Sequence, residues 1–208
     1  MQIVCLDLEG VLVPEIWIAL AERSGIEELR LTTREIPDYD ELMRRRIKIL
    51  DDHNLGLPAI QEASESIAPL DGATEFLDWA RSRFQVIILS DTYYEIVQPL
   101  MHQLGWPTIF CHRLQVDAMG RITDYALRQK DHKTAAVRAL RTLNFSVFAA
   151  GDSYNDIGML AAADAGFLFD APDNVAADFS QFGRVTGYAA LQEALSGAAA
   201  AMDARGAS

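Results

Sequence analysis

Short apolar runs recur along the chain, at Ile3 to Leu8, Phe84 to Leu89, Ser146 to Ala149 and Gly166 to Phe169. Each is followed by acidic, glycine or hydroxyl residues, the pattern of strands buried on both faces. Between the runs lie stretches with helical spacing of apolar positions: Gly72 to Arg83, Tyr93 to Leu104, Lys133 to Leu143 and Asn155 to Ala163. The alternation predicts an α/β fold with a doubly wound parallel sheet as its core. In such sheets chemistry collects beyond the carboxyl ends of the strands, where loops and helix starts supply backbone N–H groups.

Three segments depart from the alternation. Pro14 to Ile67 has no strand pattern, whereas Glu15 to Ser24, Tyr39 to Asp52 and Ala59 to Ile67 all read as helices. This predicts a small helical cap inserted after the first strand, with 14–70 as the cap and 1–13 plus 71–208 as the catalytic core. Arg113 to Leu127 alternates around Ala118-Met119-Gly120, a hairpin expected to project from the sheet. The Ala-rich tail from Ser196 to Ser208 has weak amphipathicity and is expected to fray.

A chain of 208 residues holds one full domain plus a modest insertion. Its net charge of -12 repels polyanions, which argues against nucleic acid or an anionic membrane as partner and requires any anionic substrate to be attracted locally. The two cysteines, Cys5 and Cys111, sit in or beside apolar runs and read as core residues of a reducing compartment. The N-terminus lacks a basic region followed by a long apolar stretch, and no run reaches the roughly 20 residues of a bilayer span. The expectation is a cytoplasmic protein. The histidines, His53, His102, His112 and His132, show no metal-ligand spacing and read as surface or structural residues.

The ends of the apolar runs carry the chemistry. Asp7 and Glu9 leave the first strand two residues apart, so their carboxylates converge on one side. Ser90 and Thr92, bracketing Asp91, occupy the equivalent end of the next run, where Ser90 can either grip a phosphate oxygen or cap the helix near Tyr93. Lys133 opens a helix, and a cation there opposes the helix dipole unless something negative lies close. Gly151-Asp152-Ser153-Tyr154-Asn155-Asp156 adds two acids and an amide at a third strand end, hard oxygen ligands of the kind Mg²⁺ prefers. Singly each has an ordinary explanation as a cap, a turn or a solvated charge. Turn chemistry does not account for the four together.

In order, Asp7-Leu8-Glu9-Gly10-Val11, Ile88-Leu89-Ser90-Asp91-Thr92, Lys133 and Gly151 to Asp156 resemble the four motifs of the haloacid-dehalogenase-type phosphatases, and among them the phosphoserine phosphatase family. The resemblance runs from Ile3 to about Gly187. It implies Asp7 as nucleophile, Glu9 as acid/base, and Mg²⁺ as cofactor held by Asp7, Glu9 and Asp152. Whether Glu9 would reach the ion by its side chain or its main-chain carbonyl stays open. Ser90 and Lys133 would grip phosphate, Asn155 and Asp156 would support phosphate, metal and Lys133, and Asp91 falls among the substrate-binding residues. In the cap, Glu15 and Arg46 match the acid and arginine that hold the ammonium and carboxylate of O-phosphoserine. Arg46 is chosen from the run Arg44-Arg45-Arg46 because it precedes Ile47.

Glu9 stands where the family has aspartate, Gly10-Val11 where it has a hydroxyl pair, and the loop to Glu15 is one residue shorter. These departures resemble the phosphoserine:homoserine phosphotransferase branch, in which homoserine competes with water for the phosphoryl group. Competing readings are a phosphatase of another small phosphomonoester and a receiver-like phospho-switch, which would lack a cap and need only about 120 residues.

Overall fold

The first apolar run forms β1 (Gln2–Leu6), buried from Ile3 onward, and the chain then enters helices before any second strand. The computed structural model describes residues 1–32, 35, 36 and 38–206. Helix α1 (Ile16–Ser24) stops at Gly25, whose φ of 71° suits glycine and reverses the chain. Helix α2 (Tyr39–Asp52) is started by the Asp38 carboxylate, which accepts the Glu41 N–H. Helix α3 (Leu57–Ser66) carries proline in its first turn, where a missing N–H costs nothing. After α4 (Ala73–Arg81) come β2 (Gln85–Tyr93), α5 (Tyr94–Met101), β3 (Thr108–Val116), β4 (Ile122–Ala126) and α6 (His132–Thr142). The chain ends through β5 (Ser146–Gly151), α7 (Ile157–Ala162), β6 (Ala165–Phe169), α8 (Asp173–Asp178), β7 (Gly183–Val185) and α9 (Gly187–Gly206).

The strands form one sheet in the order β4-β3-β2-β1-β5-β6-β7, all parallel except β4 against β3. From β1 the chain builds outward first to one side and later to the other, so the direction of winding reverses at β1 and β5. A crevice opens beyond the carboxyl ends of strands at such a point. Period-two alternation decides which side chains cover which face. Val4, Leu6, Phe148 and Ala150 pack with Phe76 and Leu77 of α4 and Leu191 and Leu195 of α9. Ile3, Cys5, Val147 and Ala149 pack with Val137 of α6 and with Met159 and Leu160 of α7. Burying both faces makes β1 a continuous apolar run, and each fully buried side chain of this size contributes about 1.5–3 kcal/mol. Cys5 and Cys111 are free and buried, and burial pushes both thiols up to about 12, so neither is a nucleophile at neutral pH.

The hairpin projects as expected: β3 starts at Thr108 and pairs with β2 only as far as His112, and from Arg113 onward it pairs with β4 alone. There the Tyr125 hydroxyl donates to Asp40 of α2, and the Gly120 carbonyl in the turn accepts the Leu57 N–H at 2.8 Å. Two expectations are revised. Strand β2 runs past Leu89 to Tyr93. From Leu89 to Tyr93 it advances four residues while its partner advances two, Phe110 to His112, so Ser90, Asp91 and Thr92 bulge out of the ladder. The Ser90 hydroxyl accepts the Thr92 N–H at 3.2 Å, and α5 begins without a side-chain cap. Finally, the tail is helical to Gly206: Ala198, Ala199 and Met202 pack against the core, and the Gln2 side-chain amide donates to Ala199 and Asp203. Its last two residues lie outside those described. Among the described residues no helix is long and apolar enough to cross a membrane.

Candidate active site

Asp7 prolongs β1 by one residue, its N–H donating to the Ala150 carbonyl at 3.0 Å. Its carboxylate accepts the Leu8 N–H at 2.7 Å through Oδ1, and Oδ2 lies 3.0 Å from Lys133 Nζ. The turn after β5 closes onto the turn after β1 because Gly10 has no side chain. A Cβ there would stand 2.5 Å from the Asp152 carboxylate, and its φ of 78° suits glycine. Gly151 plays the same part for Asp156, whose carboxylate carbon would lie 2.3 Å from an added Cβ.

Asp156 is fully buried and ties the site together. Its Oδ2 accepts the N–H groups of Asp152 at 3.0 Å and Ser153 at 3.2 Å, while Oδ1 accepts from Lys133 Nζ at 2.8 Å. Lys133, brought in from the start of α6, thus touches Asp156, Asp7 and, at 3.5 Å, Asp91. Burial alone would discharge this ammonium, but Asp156, Asp7 and Asp91 outweigh it and hold the group well above the usual lysine range.

Oxygen atoms of Asp7, Asp152 and Asp156 lie within 4.8 Å of one another. Burial and then Asp156 raise Asp7 well above the ordinary carboxylate range, and the same two causes push Asp152 up to about 7. Crowded buried acids that resist ionising mark a site short of positive charge, and carboxylate oxygens are the donors that Mg²⁺ takes. The residues present therefore fit that ion. Glu9's carboxylate is not in this group. Its Oε1 accepts the Ile16 N–H at the start of α1, 2.7 Å away, and burial followed by Glu15 pushes it up to about 7.

A cavity of about 450 Å³ separates the sheet from α1 and α2. Glu9, Asp91, Asp152 and Asn155 line it from the sheet side; Glu15, Trp17, Tyr39 and Arg46 line it from the helical side. Asp7, Ser90 and Lys133 are buried beside it, and Lys133 joins Asp7 to the wall residue Asp91. Glu15 stands at the N-cap position of α1, makes no side-chain capping bond and is exposed. Of the three consecutive arginines, α2 turns only Arg46 inward. It is 7% exposed, its guanidinium lies 4.3 Å over the Trp17 ring, and Nη2 donates to the Leu31 carbonyl at 2.8 Å. Nε is buried without a hydrogen-bond partner among the described residues, a donor still to be used.

Sequence reasoning did not single out Trp17, Tyr39, His112 or His132. The Tyr39 hydroxyl donates to the Asp91 carbonyl at 3.1 Å and shares a 2.8 Å bond with the Tyr93 hydroxyl. His53 and His102 are exposed, as a surface role requires, but His112 and His132 are buried beside Asp91. Their only sequence signal is proximity, His132 next to Lys133, since the two come from β3 and α6 and share no spacing.

An acid at the end of the central strand, a buried lysine beside it and a second acidic turn across the winding switch are an arrangement suited to phosphoryl transfer on an α/β sheet. The chain belongs to the haloacid dehalogenase-like hydrolases, the family that matches residues 1–164. It is 61% identical over 181 residues to a phosphoserine phosphatase of Pseudomonas syringae pv. tomato, covering 87% of this chain and 76% of that one. It is 58% identical over 192 residues to the phosphoserine phosphatase ThrH of Pseudomonas aeruginosa, covering 92% and 94%. Among solved structures, a substrate-bound phosphoserine phosphatase complex shares the fold with a TM-score of 0.72 at 21% identity, over 94% of this chain and 97% of that one. A phospho-aspartyl intermediate analogue of phosphoserine phosphatase matches with a TM-score of 0.70 at 23% identity, over 85% and 90%.

Proposed function

We propose that the chain is a cytoplasmic, Mg²⁺-dependent phosphoserine phosphatase that works through an aspartyl-phosphate on Asp7 and passes the phosphoryl group to homoserine as well as to water. The names of the two Pseudomonas relatives support the substrate. The observation that carries the reading is a single cavity with the Glu9 and Asp152 carboxylates on one wall and Arg46 and Glu15 on the other. A molecule spanning it meets acid chemistry at one end, and a guanidinium and a carboxylate at the other. That is the complement of a phosphorylated amino acid.

Lys133 and the Ser90 hydroxyl take the phosphoryl oxygens. An Asp7 carboxylate oxygen attacks phosphorus, forming one P–O bond as the bond to the serine oxygen breaks. Glu9, pushed up to about 7, is largely protonated just below neutral pH and gives its proton to the leaving oxygen. As a carboxylate it then takes a proton from the incoming water or alcohol, and the Asp7–phosphorus linkage is released. Asp7, Asp152 and Glu9 would hold Mg²⁺, which when bound would supply the positive charge that lowers repulsion between an attacking carboxylate and a phosphate. Asp156 keeps Lys133 and the Asp152 turn in place throughout.

The direct test incubates the protein, Mg²⁺ and phosphoserine with and without homoserine, quantifying inorganic phosphate and phosphohomoserine together. Phosphate is expected from phosphoserine alone, and phosphohomoserine at its expense when homoserine is present. Turnover of other small phosphomonoesters but not phosphoserine would retire the substrate; phosphate without phosphohomoserine would retire the transfer. Glu9→Gln is expected to slow both routes strongly. Glu9→Asp retracts the base by about one C–C bond, and displacement on the order of 1 Å changes rates about 100-fold, so the product ratio is expected to move toward hydrolysis. An unchanged ratio at lower total rate would leave Glu9 as acid/base but remove it as selector of the acceptor.

The metal reading makes a calorimetric prediction. An acid raised in the folded state is protonated at low pH, and its stability contribution is lost as pH rises toward its folded value; Asp152 and Asp7 behave in this way. A cation must displace the Asp152 proton below about pH 7 and finds that carboxylate bare above it. Mg²⁺ at about 100 times its Kd adds roughly 2.7 kcal/mol, or about 5–10 °C for a chain of this length. The rise in Tm is therefore expected to be clearly larger at pH 8 than at pH 6. Equal or reversed increments would contradict the assignment of Asp152.

A further inference from the structure

The Asp91 carboxylate faces two ways. Its Oδ2 accepts the Asn155 side-chain N–H at 2.7 Å and lies 3.5 Å from Lys133 Nζ. Its Oδ1 faces two buried imidazoles, His132 Nε2 at 3.1 Å and His112 Nε2 at 3.5 Å, whose rings meet edge to face with centroids 4.4 Å apart. Both histidines are 2% exposed. They come from different elements, His112 from β3 and His132 from the first turn of α6, and converge on a residue lifted out of β2 by its bulge.

The ring protons can be placed from the neighbours. The Arg128 N–H donates to His112 Nδ1 at 3.2 Å, so Nδ1 is the acceptor and Nε2 carries the hydrogen that points at Asp91. A carboxylate accepts only, so His132 Nε2 is likewise a donor to the same oxygen. These three residues are close enough to bind a cation, but a cation would need both Nε2 lone pairs. His112 Nδ1 would then carry its hydrogen against the Arg128 N–H. The trio is built to give two hydrogen bonds to Asp91 instead.

We propose that His112 and His132 are positioning residues for phosphoryl binding: together they fix the Asp91 carboxylate through Oδ1 so that Oδ2 holds the Asn155 amide and the Lys133 ammonium toward the phosphoryl group. This rests on the reading that the cavity receives a phosphoryl group. The arrangement answers a specific difficulty. Asp91 is an anion on the wall of a cavity meant for an anion, so an unrestrained carboxylate there would repel the substrate and pull Lys133 aside. Two donors on the far oxygen absorb part of its charge and fix its plane. Neither histidine touches substrate in this scheme; both act through Asp91.

The test is a double-mutant cycle on kcat/KM with phosphoserine and with p-nitrophenyl phosphate, using His132→Leu, Asp91→Ala and the pair, with His112→Leu in a parallel cycle. His132→Leu is expected to lower kcat/KM about 10- to 100-fold on both substrates, the range for removing a group that orients a ligand-holding residue. Inhibition by inorganic phosphate should weaken as well. In the Asp91→Ala background, adding His132→Leu should cost little more, because the histidine has lost the residue it acts through. His132→Gln, which keeps an N–H near the Nε2 position, should recover most of the loss. Losses that multiply in the double variant, no rescue by glutamine, or unchanged activity in His132→Leu would each overturn the proposal. Turnover of p-nitrophenyl phosphate without phosphoserine would retire the substrate assignment alone, and the cycle would still be read on the aryl ester.

Discussion

Asp7→Asn is expected to remove turnover by on the order of 10⁶-fold, the scale seen when an enzyme loses its nucleophile. The amide is nearly isosteric but neither attacks phosphorus nor gives a metal an anionic oxygen. The fold should not suffer. Asp7 is buried and held well above the ordinary carboxylate range by that burial and by Asp156, so in metal-free solution it favours the neutral form that asparagine imitates. Lys133 keeps Asp156 at 2.8 Å and Asp91 at 3.5 Å as partners, so no buried ammonium is orphaned. Two measurements separate chemistry from folding. Phosphate release should vanish, while the metal-free Tm at pH 8 should equal or exceed that of the parent and the increment from Mg²⁺ should shrink. Normal turnover would remove Asp7 as nucleophile; a collapsed Tm would make it a structural residue first.

How much of this was legible in the chain depended on whether the cause was local. Strands β1 and β5, buried on both faces between helices, leave continuous apolar runs, and the acids that end them needed no tertiary information to be noticed. The helical insertion between β1 and β2 was readable because α1, α2 and α3 each carry an apolar stripe. Strand β7, three residues at an edge with only one of them partly buried, leaves no run to see. The bulge at Ser90 to Thr92 was hidden for a different reason: it depends on the register of β2 against β3, a property of two segments rather than one. The tail misled because alanines give little amphipathic signal, yet small side chains allow α9 to lie close against the core. His112 and His132 are the clearest case. Each looks unremarkable in its own segment, and only the convergence of β3 and α6 on Asp91 gives them a shared partner.

Arg46→Ala is expected to lower kcat/KM for phosphoserine by about 2 to 5 kcal/mol, roughly 30- to 4,000-fold, and to leave an aryl phosphate far less affected. The argument begins with burial. On α2, Arg44 pairs with Asp40 on the outer face at 2.8 Å and Arg45 is exposed, while Arg46 is turned under the helix onto Trp17. A guanidinium in that position has lost most of its water, and the Leu31 carbonyl satisfies only Nη2. Nε remains available, so a substrate carboxylate entering the cavity would complete the hydrogen bonding of a charge already desolvated. Phosphoserine offers that carboxylate and an aryl phosphate does not, so the loss should appear mainly in KM for the former. Alanine also removes the packing against Trp17, and a lower Tm is expected for that reason, but such a defect would slow both substrates alike. Arg44→Ala and Arg45→Ala, on the solvent side of the same helix, should change either substrate little. A larger loss at one of them than at Arg46 would place the carboxylate contact on the wrong face of α2, and equal losses on both substrates for Arg46→Ala would assign the residue to the fold or to phosphate.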